Sequence, residues 1–572
     1  MYLNFKSKYD RFPKTLVSGL ENEVFVGYKE IIANIVDSLE NHRTIVLEFY
    51  PGVDLSEVKN ELSKINNCNL YNIEDYAKNS ETIESMLRDN LTDDRVFGYM
   101  YKYNIEDYYD SQKLDSLKKE IKFNNQKNIV FGTGASLIGC YDKLYYFDLA
   151  RWEIQLRYRS GMSNFLITNP QEDILKKYKR GYFIEWRVAD RLKKRLFNQI
   201  DYWVDTNKKN EPKMISHHAF NEALDTIVKQ PFRLVPYFDP GVWGGQWMKE
   251  VCNLPLDKEN YAWSFDGVPE ENSLYFDFGK TTLEFPAIDL VFFRPHELLG
   301  EKVHARFGAE FPIRFDFLDT MEGQNLSLQV HPLTEYIQEK FGMHYTQDES
   351  YYILDASEGA VVYLGVKENI NPNELIHDLE EAQKGSYSFP DYKYINQFPA
   401  KKHDHFLIPA GTIHCSGKNS MVLEISATPY IFTFKLWDWD RLGLDGKPRP
   451  VHIEHGKHVI QYDRNTEWVK NNLINHFEKI SDIEEKTGLH EREFIETRRI
   501  FFTEKVVINN HDSVNMCNLV EGEEAIIESV DNSFSPFTVH YAETFIIPEN
   551  IKCFAITSKN GKKCGIIQAY VR

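Results

Sequence analysis

The sequence predicts a multidomain protein in which an N-terminal α/β domain is followed by a mainly β region. The chain has 572 residues, more than a single hydrophobic core usually serves, so several domains are expected. Its first two hundred residues alternate strand-like apolar runs with helical patterns, whereas the later sequence consists of short strands bounded by Gly, Pro and Asp. Aromatic residues make up 14% of the chain, a composition that favours β-sheets.

The N-terminal elements interleave strands with helices, which predicts a partly parallel sheet. Residues 44–50 form an apolar strand candidate, and the turn at 51–54 leads into a helix beginning near Leu55. Further strand candidates lie at 128–131 and 144–148, and a long amphipathic stretch follows at 185–203. The polar run at 205–213 is the best linker candidate in the chain. We therefore expect an α/β domain at residues 1–213.

The remaining sequence predicts two β domains with helical insertions. The spacing of the strands suits an antiparallel barrel or sandwich. Helical insertions are expected at 373–384 and 467–486, and short strands dominate again from 498 to 572. We expect a larger domain at 214–490 and a smaller one at 491–572. The strand candidates of the larger domain are residues 311–317, 326–330, 351–354, 361–365, 406–408 and 421–425.

Charge, cysteine content and hydropathy exclude several classes of partner. The net charge of -19 argues against nucleic acid or an anionic membrane as partner, because polyanion binding depends on a basic surface. A small phosphorylated substrate remains compatible with it. Seven scattered cysteines without a C-x-x-C pair indicate reduced thiols and a cytoplasmic protein, and no apolar run is long enough to span a membrane. The sequence does not specify the oligomeric state.

A metal site is indicated by four residues in three separate segments. Gln329 and His331 alternate with apolar residues, so their side chains point to the same face of a strand. Glu349 begins an apolar strand, and His414 follows a Pro-Ala-Gly turn. Two imidazoles, a carboxylate and an amide oxygen form a set suited to Zn²⁺ with one position left for water or substrate. The interpretation depends on the ordered combination, because each residue alone is more often structural or solvated.

A second histidine pair has ligand-like spacing but a less suitable position. His403, Asp404 and His405 reproduce the His-x-His spacing of many metal sites, yet they follow two lysines just before a strand. We expect a surface turn there.

The order of these motifs resembles the type I mannose-6-phosphate isomerases of the cupin superfamily, over roughly residues 231–572. The resemblance implies a mainly-β double cupin, that is two jelly-roll barrels with helical insertions. The second barrel would include NLVEG at 518–522 and ETFIIP at 543–548. The other resembling segments are WGG at 243–245, FPIRFDFLD at 311–319, QVHP at 329–332, DESYYIL at 348–354, IPAGTIH at 408–414, LEI at 423–425 and DWDR at 438–441.

The resemblance also implies an activity and a ligand set. The activity is the zinc-dependent interconversion of mannose 6-phosphate and fructose 6-phosphate through an enediol, with one Zn²⁺ per chain. Arg441 would be the arginine that stabilises developing negative charge. The metal ligands would be Gln329, His331, Glu349 and His414.

Three further residues are candidates on weaker grounds. Glu424 lies on the face of its strand opposite to its two apolar neighbours, so it is our candidate for the base that moves the carbon-bound proton. A structural glutamate paired with a cation is an equal alternative. Lys447 and Arg449 are candidate phosphate contacts, with a solvated basic loop as the equal alternative.

Two features keep other functions open. Many members of the family carry a lysine close before the metal glutamate, whereas Gln347 and Asp348 stand there in this chain. The extra carboxylate disfavours a phosphate. An isomerase of another sugar or sugar phosphate, and a catalytically silent sugar-binding cupin with a regulatory role, are therefore the alternative functions.

The N-terminal region is loosely similar to a degenerate P-loop kinase. The strand at 44–50, its loop and the following helix have the expected order, and a basic stretch follows from Tyr178 to Arg195. The loop lacks the Gly-Lys-Ser/Thr that cradles phosphates. An accessory α/β domain for assembly or regulation is the alternative.

Overall fold

The chain forms two compact units of mixed α/β structure, which confirms a multidomain protein. This computed structural model describes residues 1–385, 387–427, 432–443, 446, 449–488, 490 and 493–572, so Lys447 lies outside the described residues. The α/β unit comprises Lys14–Thr226 and Ser273–Phe293. The β-rich unit comprises Met1–Pro13, Ile227–Asn272 and Arg294–Arg572. The expected domain limits at residues 213 and 490 stay predictions. In the described part of the chain no helix is both long and apolar enough to cross a bilayer.

A seven-stranded sheet forms the centre of the α/β unit. Five adjacent strands run parallel, and Lys213–Ser216 pairs antiparallel both with the last of them and with the edge strand Val24–Val26. The strands predicted at 44–50, 128–131 and 144–148 are confirmed. From edge to edge the order is Val24–Val26, Lys213–Ser216, Tyr202–Asp205, Lys143–Asp148, Thr44–Phe49, Asn128–Gly132 and Asn69–Asn72.

Helices cover this sheet, and a small three-stranded sheet completes the unit. The core is aliphatic and aromatic: Ile45 and Phe131 of the sheet pack with Ile35 and Val58 of the helices. The helices are Gly27–Asn41, Leu55–Leu62, Ser80–Leu91, Ser111–Phe123, Arg151–Arg159, Ile174–Arg180, Trp186–Leu196, His217–Ile227 and Ile288–Phe293. The small sheet contains Lys14–Leu16, Ser273–Asp277 and Thr282–Pro286.

The linker predicted at residues 205–213 is wrong. This segment joins Tyr202–Asp205 to Lys213–Ser216, which pair antiparallel within one sheet. Polar, proline-containing segments serve equally well as exposed connections between neighbouring strands, so composition alone did not distinguish the two. The amphipathic stretch predicted to reach residue 203 is also shorter in the structure, because the helix ends at Leu196.

A buried lysine ties the segment Ser273–Phe293 to the rest of the α/β unit. The Lys193 ammonium lies 2.7 Å from the carboxylate of Asp148 and 2.8 Å from that of Asp289. All three side chains are buried. Removing one partner from such a cluster leaves an uncompensated charge in the interior and is strongly destabilising.

The β-rich unit contains two pairs of sheets. In the first pair, the six-stranded sheet has the order His405–Ile408, Glu349–Ala356, Ser420–Ser426, Arg314–Asp319, Trp263–Gly267 and Tyr237–Asp239. The five-stranded sheet has the order Ile395–Pro399, Val361–Val366, His414–Ser416, Leu328–Val330 and Phe434–Trp437. Side chains of both sheets meet at the site described below. The six strands predicted in this region are therefore present, with their ends shifted by up to three residues.

The second pair of sheets encloses its own apolar core. Leu519 and Phe545 of one sheet share a buried cluster with Ile527 and Phe554 of the other. The six-stranded sheet has the order Glu478–Lys479, Glu484–Lys486, Ile495–Phe502, Cys564–Val571, Asn515–Glu521 and Thr544–Ile547. The four-stranded sheet has the order Val506–Asn509, Cys553–Ser558, Glu524–Ser529 and Phe537–His540.

Of the two predicted helical insertions, the first is confirmed and the second is helical over only part of its length. The insertion expected at 373–384 is the helix Pro372–Gln383. The one expected at 467–486 is helical only over Thr466–Asn472, and strands follow. The other helices of this unit are Trp247–Val251, Pro295–Leu299, Glu301–Phe307, Thr334–Phe341, Asp391–Tyr394 and Ile453–Gly456.

Candidate metal centre and adjoining cavity

The four residues predicted as metal ligands meet between the first two sheets. Gln329 lies in the strand Leu328–Val330 and is the register partner of His414 in the neighbouring strand. His331 follows directly after Gln329's strand, and Glu349 begins a strand of the opposite sheet. Because side chains alternate along a strand, Gln329 and His331 share the inward face, as the sequence predicts. The structure thus brings residues separated by up to 85 positions into one cluster.

A carboxylate stands between the two imidazoles. Glu349 Oε2 lies 3.0 Å from His331 Nε2, and Glu349 Oε1 lies 2.7 Å from His414 Nε2. All three side chains are fully buried. One nitrogen or oxygen atom from each of the three side chains lies within 4.8 Å of the other two. Among the described residues, no other group of three His, Cys, Asp or Glu side chains is this close together.

A backbone carbonyl fixes the outer nitrogen of each imidazole. His331 Nδ1 lies 2.9 Å from the Phe432 carbonyl, and His414 Nδ1 lies 2.8 Å from the Thr412 carbonyl. A carbonyl only accepts, so each Nδ1 carries a proton, and each Nε2 presents a lone pair when its ring is neutral. Two Nε2 atoms and a carboxylate therefore converge in a buried space. Such a donor set needs a proton or a cation between its members, which fits a metal ion held by His331, Glu349 and His414.

Gln329 completes this donor set. Its Nε2 lies 3.2 Å from His414 Nε2, and the two ends of an amide side chain exchange places by a simple rotation. The rotated amide would present its oxygen to the same space. Nitrogen and oxygen ligands of this mixture are those of catalytic zinc sites.

The charges in the cluster are strongly coupled. Burial raises the pKa of Glu349, but the adjacent His331 and His414 reverse this and hold it well below its usual range. Burial lowers the pKa of His331, yet the neighbouring Glu349 carboxylate brings it above its ordinary value. Without a metal ion the cluster therefore holds a proton that a bound cation would displace.

A cavity of about 140 Å³ adjoins Gln329. One wall is aromatic: the rings of Trp243 and Trp263 stack with centroids 5.1 Å apart. The opposite part of the lining is polar and carries charges of both signs. The charged and amide side chains of the lining are Asp316, Gln329, Gln347, Glu424, Lys435 and Arg449.

Glu424, the predicted base, lines this cavity and belongs to a carboxylate cluster. It is the register partner of Asp316 on one side and of Tyr351 on the other. Gln347 Nε2 donates to Glu424 Oε1 at 3.2 Å and to Glu349 Oε2 at 2.9 Å. Burial, together with the charges of Glu349 and Asp316, raises the pKa of Glu424 well above its ordinary value. Glu424 thus accepts from an amide, and its role as the base and the alternative of a structural glutamate near a cation both stay predictions.

Arg449, a predicted phosphate contact, lines the cavity, whereas Arg441, the arginine predicted to stabilise negative charge, does not. Arg449 Nε binds Asp438 Oδ2 at 2.9 Å, and Arg441 binds the other oxygen of the same carboxylate at 2.5 Å. Arg441 is absent from the cavity lining. Its expected role therefore stays a prediction without a contact in the cavity, and Lys447 lies outside the described residues.

Sequence reasoning missed Lys435. It is the register partner of Gln329 in the strand Phe434–Trp437 and lines the cavity. Burial, together with the nearby Arg449 charge, lowers its pKa to about 7. The available signal was a single lysine between two apolar residues on a strand, which places its side chain on the inward face when its neighbours point outward.

The second histidine pair is separate from the metal cluster, and the predicted surface turn is present just before the strand. The chain turns at Lys402 and His403, where Asp404 N–H donates to the Lys401 carbonyl at 3.0 Å, and both lysines are exposed. His405 is fully buried at the start of the strand His405–Ile408, and Asp404 is also buried. His403 binds the Tyr352 hydroxyl at 2.8 Å and Glu521 at 3.0 Å. The surface turn is therefore confirmed for residues 401–403, whereas Asp404 and His405 are buried because the strand begins one residue earlier than its apolar run.

Comparisons with known proteins give different results for different parts of the chain. A family model described as a domain of unknown function (DUF8485) matches residues 27–229. Mannose-6-phosphate isomerase ManA of Bacillus subtilis is 25% identical over 241 residues, which is 41% of this chain and 69% of that protein. Mannose-6-phosphate isomerase of Streptococcus mutans is 25% identical over 233 residues, 40% of this chain and 68% of that protein.

Solved structures give a weaker likeness. The crystal structure of mannose 6-phosphate isomerase from Bacillus subtilis covers 60% of this chain and 99% of its own, with 20% identity and a TM-score of 0.48. A variant of phosphomannose isomerase from Salmonella typhimurium covers 59% of this chain and 99% of its own, with 14% identity and a TM-score of 0.46. With both TM-scores below 0.5, the proposed function rests on the sequence relatives and on the site itself.

Proposed function

We propose that this protein is a zinc-dependent aldose–ketose isomerase that interconverts mannose 6-phosphate and fructose 6-phosphate. The observation that carries the proposal is the convergence of His331, Glu349 and His414 beside a cavity that holds the buried carboxylate of Glu424. The sequence relatives named above support the substrate. A catalytically silent binding protein would not need a proton-transfer group next to a metal centre.

The metal would be held by Gln329, His331, Glu349 and His414. A bound Zn²⁺ polarises a carbonyl or hydroxyl oxygen and so makes the neighbouring carbon-bound proton more acidic. The carbonyls of Phe432 and Thr412 fix the orientation of the two imidazoles through Nδ1, which keeps the donor set preorganised.

Glu424 would move the proton between the two carbons. As a carboxylate it would remove the proton from C2 of the aldose, which leaves an enediolate with its charge on the C1 oxygen. A proton then passes from the C2 hydroxyl to the C1 oxygen, and Glu424, as a carboxylic acid, would return its proton to C1 to give the ketose. The raised pKa of Glu424 suits this role, because a more basic carboxylate removes a carbon-bound proton more readily. Gln347 holds the carboxylate in position through its contact with Glu424 Oε1.

Lys435 would supply positive charge to the substrate. Arg449 already binds Asp438, whereas Lys435 forms no ion pair with a carboxylate of the described residues. A half-buried ammonium beside the cavity can bind a phosphate oxygen or stabilise the enediolate.

The direct test is a coupled assay for fructose 6-phosphate formed from mannose 6-phosphate. Zinc-loaded protein should turn over, whereas chelator-treated protein and the His331→Ala variant should not. His403→Ala is the matched control, because His403 is a histidine of the same unit outside the metal cluster. If the protein binds one zinc ion per chain but converts no hexose or hexose phosphate, the proposal that it is an isomerase is contradicted.

The lining of the cavity favours one other candidate, an isomerase of an uncharged hexose. Asp316 and Glu424 are acidic, burial raises the pKa of Asp316 to about 6, and the stacked rings of Trp243 and Trp263 suit the C–H face of a sugar. These groups would repel a phosphate dianion and accept hydroxyl protons.

The Lys435→Met variant distinguishes the two substrates. If the natural substrate is phosphorylated, KM for mannose 6-phosphate should rise about tenfold, the value of one charge-assisted hydrogen bond, while turnover of mannose is unchanged. If the substrate is an uncharged hexose, wild type should prefer mannose. Lys435→Arg keeps the charge and should restore a low KM only in the first case.

A further inference from the structure

A large opening of the α/β unit lies at one edge of its parallel sheet. Its cavity has a volume of about 1140 Å³. Residues that follow each of the five parallel strands line it. These are Gly52 after Thr44–Phe49, Asp75 after Asn69–Asn72, Thr133 after Asn128–Gly132, Arg157 in the helix after Lys143–Asp148, and Lys209 after Tyr202–Asp205.

This position is the one at which open α/β sheets bind ligands. The strand Thr44–Phe49 has Asn128–Gly132 on one side and Lys143–Asp148 on the other. The chain therefore leaves this strand towards one edge of the sheet and later returns to the opposite side. Such a reversal opens a crevice outside the carboxyl ends of the strands, where small molecules bind in this class of fold.

The crevice is built to exclude anions where a phosphate would otherwise bind. The helix Leu55–Leu62 points its N-terminus into the crevice, and free N–H groups there would attract an anion. The Asp54 carboxylate occupies that position and accepts from the N–H groups of Ser56 and Glu57, both at 3.1 Å. A phosphate would find the donors taken and a negative charge in their place.

Two of the three cationic side chains in the lining are engaged by the protein. Arg157 donates to the carbonyls of Gly52 and Thr206 at 2.9 and 2.6 Å, and it pairs with Glu153. Lys209 lies 3.8 Å from Asp54. The lining contains five carboxylates, from Asp54, Glu57, Glu74, Asp75 and Glu153. The crevice is therefore an environment rich in acceptors with little free positive charge.

The carboxylates are spaced for hydroxyl groups rather than for a metal ion. No three of them come close enough to share a cation among the described residues. Thr133 N–H donates to Glu74 Oε1 at 3.4 Å, and Asn72 donates to Asp75 Oδ1 at 3.2 Å. The second oxygen of each carboxylate has no donor in the described part of the chain and can accept from a ligand. Burial raises the pKa of Glu74 to about 7.

We propose that this crevice binds an uncharged polyhydroxylated molecule, of the monosaccharide or nucleoside class, through Glu74 and Asp75. Carboxylates accept the hydrogen bonds of vicinal hydroxyls, as an acidic residue does with the ribose of dinucleotides in related sheets. The rings of Tyr158 and Phe165 in the lining offer apolar surface to the face of a sugar or a base. The site is independent of the metal centre and of the isomerase activity.

The test uses full-length protein with the Glu349→Gln substitution, so that the metal centre does not contribute. D-mannose, adenosine, ATP and inorganic phosphate are each titrated by calorimetry. Amide hydrogen exchange is measured for residues 50–57 and 160–168. We expect binding of mannose or of adenosine, with protection of both segments, and no binding of phosphate. Mannose binding would identify a monosaccharide site, and adenosine binding a nucleoside site.

Glu74→Gln should weaken this binding about tenfold or more, because it removes a charged acceptor but keeps the shape and the Thr133 hydrogen bond. Glu61→Gln is the matched control, since Glu61 lies on the helix Leu55–Leu62 but outside the lining. Three results would each overturn the proposal: no binding of either polyol, tighter binding of ATP than of adenosine, or binding without protection of the two segments.

Discussion

Two buried charge clusters, one in each unit, are composed differently. In the α/β unit Lys193 lies between Asp148 and Asp289, so two acceptors share a cation supplied by the chain itself. In the β-rich unit the carboxylate of Glu349 lies between the Nε2 atoms of two imidazoles, and no Lys or Arg of the described residues forms an ion pair with it. The first cluster is complete as it stands, whereas the second is complete only with a metal ion or a proton.

A third buried carboxylate, that of Glu48, is stabilised by backbone N–H groups instead of by a side chain. Glu48 accepts from the backbone N–H groups of Gly134 and Ser136, so partial positive charges replace a cation. Gly134 has a φ of +93°, a conformation that glycine adopts readily and that turns this loop towards the carboxylate. Burial alone therefore does not mark a functional carboxylate. What distinguishes Glu349 is that two imidazoles face it, and that all three side chains can act as ligands of one metal ion.

The largest effect is expected from Glu349→Gln. The substitution removes the negative charge of the donor set, so zinc content should fall sharply and turnover of the isomerase substrate should fall by about a thousandfold or more, equivalent to about 4 kcal/mol. Metal analysis and the coupled assay measure the two quantities on one sample.

The same variant should keep its fold, because the amide has the shape of the carboxylate and can donate to one imidazole and accept from the other in the metal-free protein. Its thermal transition should match that of chelator-treated wild type. A variant that retains both zinc and turnover would show that Glu349 is a structural residue like Asp148, and the contrast between the clusters would disappear.

A smaller effect, on stability instead of activity, is expected from Lys193→Met. Two buried carboxylates would then face each other without a cation, so the free energy of unfolding should fall by about 3–5 kcal/mol. Denaturant titration followed by circular dichroism measures the loss. Zinc content should not change.

Lys194→Met is the control for this substitution. Lys194 is exposed on the same helix and lies over the ring of Phe292, so its loss should cost less than about 1 kcal/mol. Equal effects of the two variants would mean that the buried cluster contributes no more than an exposed side chain.

The inward-facing residues of the metal centre could be predicted from the sequence, but part of the cavity lining could not. His331 and Glu349 are predictable because strand alternation and motif order place them on inward faces. Glu424 is predictable for the same reason. Lys435 and Asp316 were missed as cavity residues because their neighbours in space belong to other strands, and strand register is not visible in one sequence.

The α/β unit shows a different limit. Its parallel strands can be predicted from their apolar runs. That residues 273–293 belong to the same unit cannot, because residues 227–272, which precede them, belong to the β-rich unit. The lysine that holds Asp289 is one of several basic residues on an amphipathic helix, and nothing in its sequence context marks it as buried.

The smallest effect concerns the pH dependence that Glu48 brings to stability. Burial raises its pKa from 4.5 to about 7, although the N–H groups of Ser136 and Gly134 act in the opposite direction. The unfolded chain loses this proton near pH 4.5 and the folded chain near pH 7. Between these values the folded state binds more protons, so the contribution of Glu48 to the free energy of unfolding is greatest below pH 4.5 and falls as the pH rises through 7.

Glu48→Gln removes this titration while keeping an oxygen as acceptor. The difference in unfolding free energy between wild type and variant should therefore decrease by up to about 3 kcal/mol from pH 4 to pH 8, with the variant relatively more stable at the alkaline end. Glu40→Gln, an exposed position in the same unit, should give a flat difference. A flat difference for Glu48→Gln as well would mean that the backbone N–H groups offset burial completely. Backbone dipoles would then match Lys193 in stabilising a buried carboxylate, and only the cluster around Glu349 would still need an added cation.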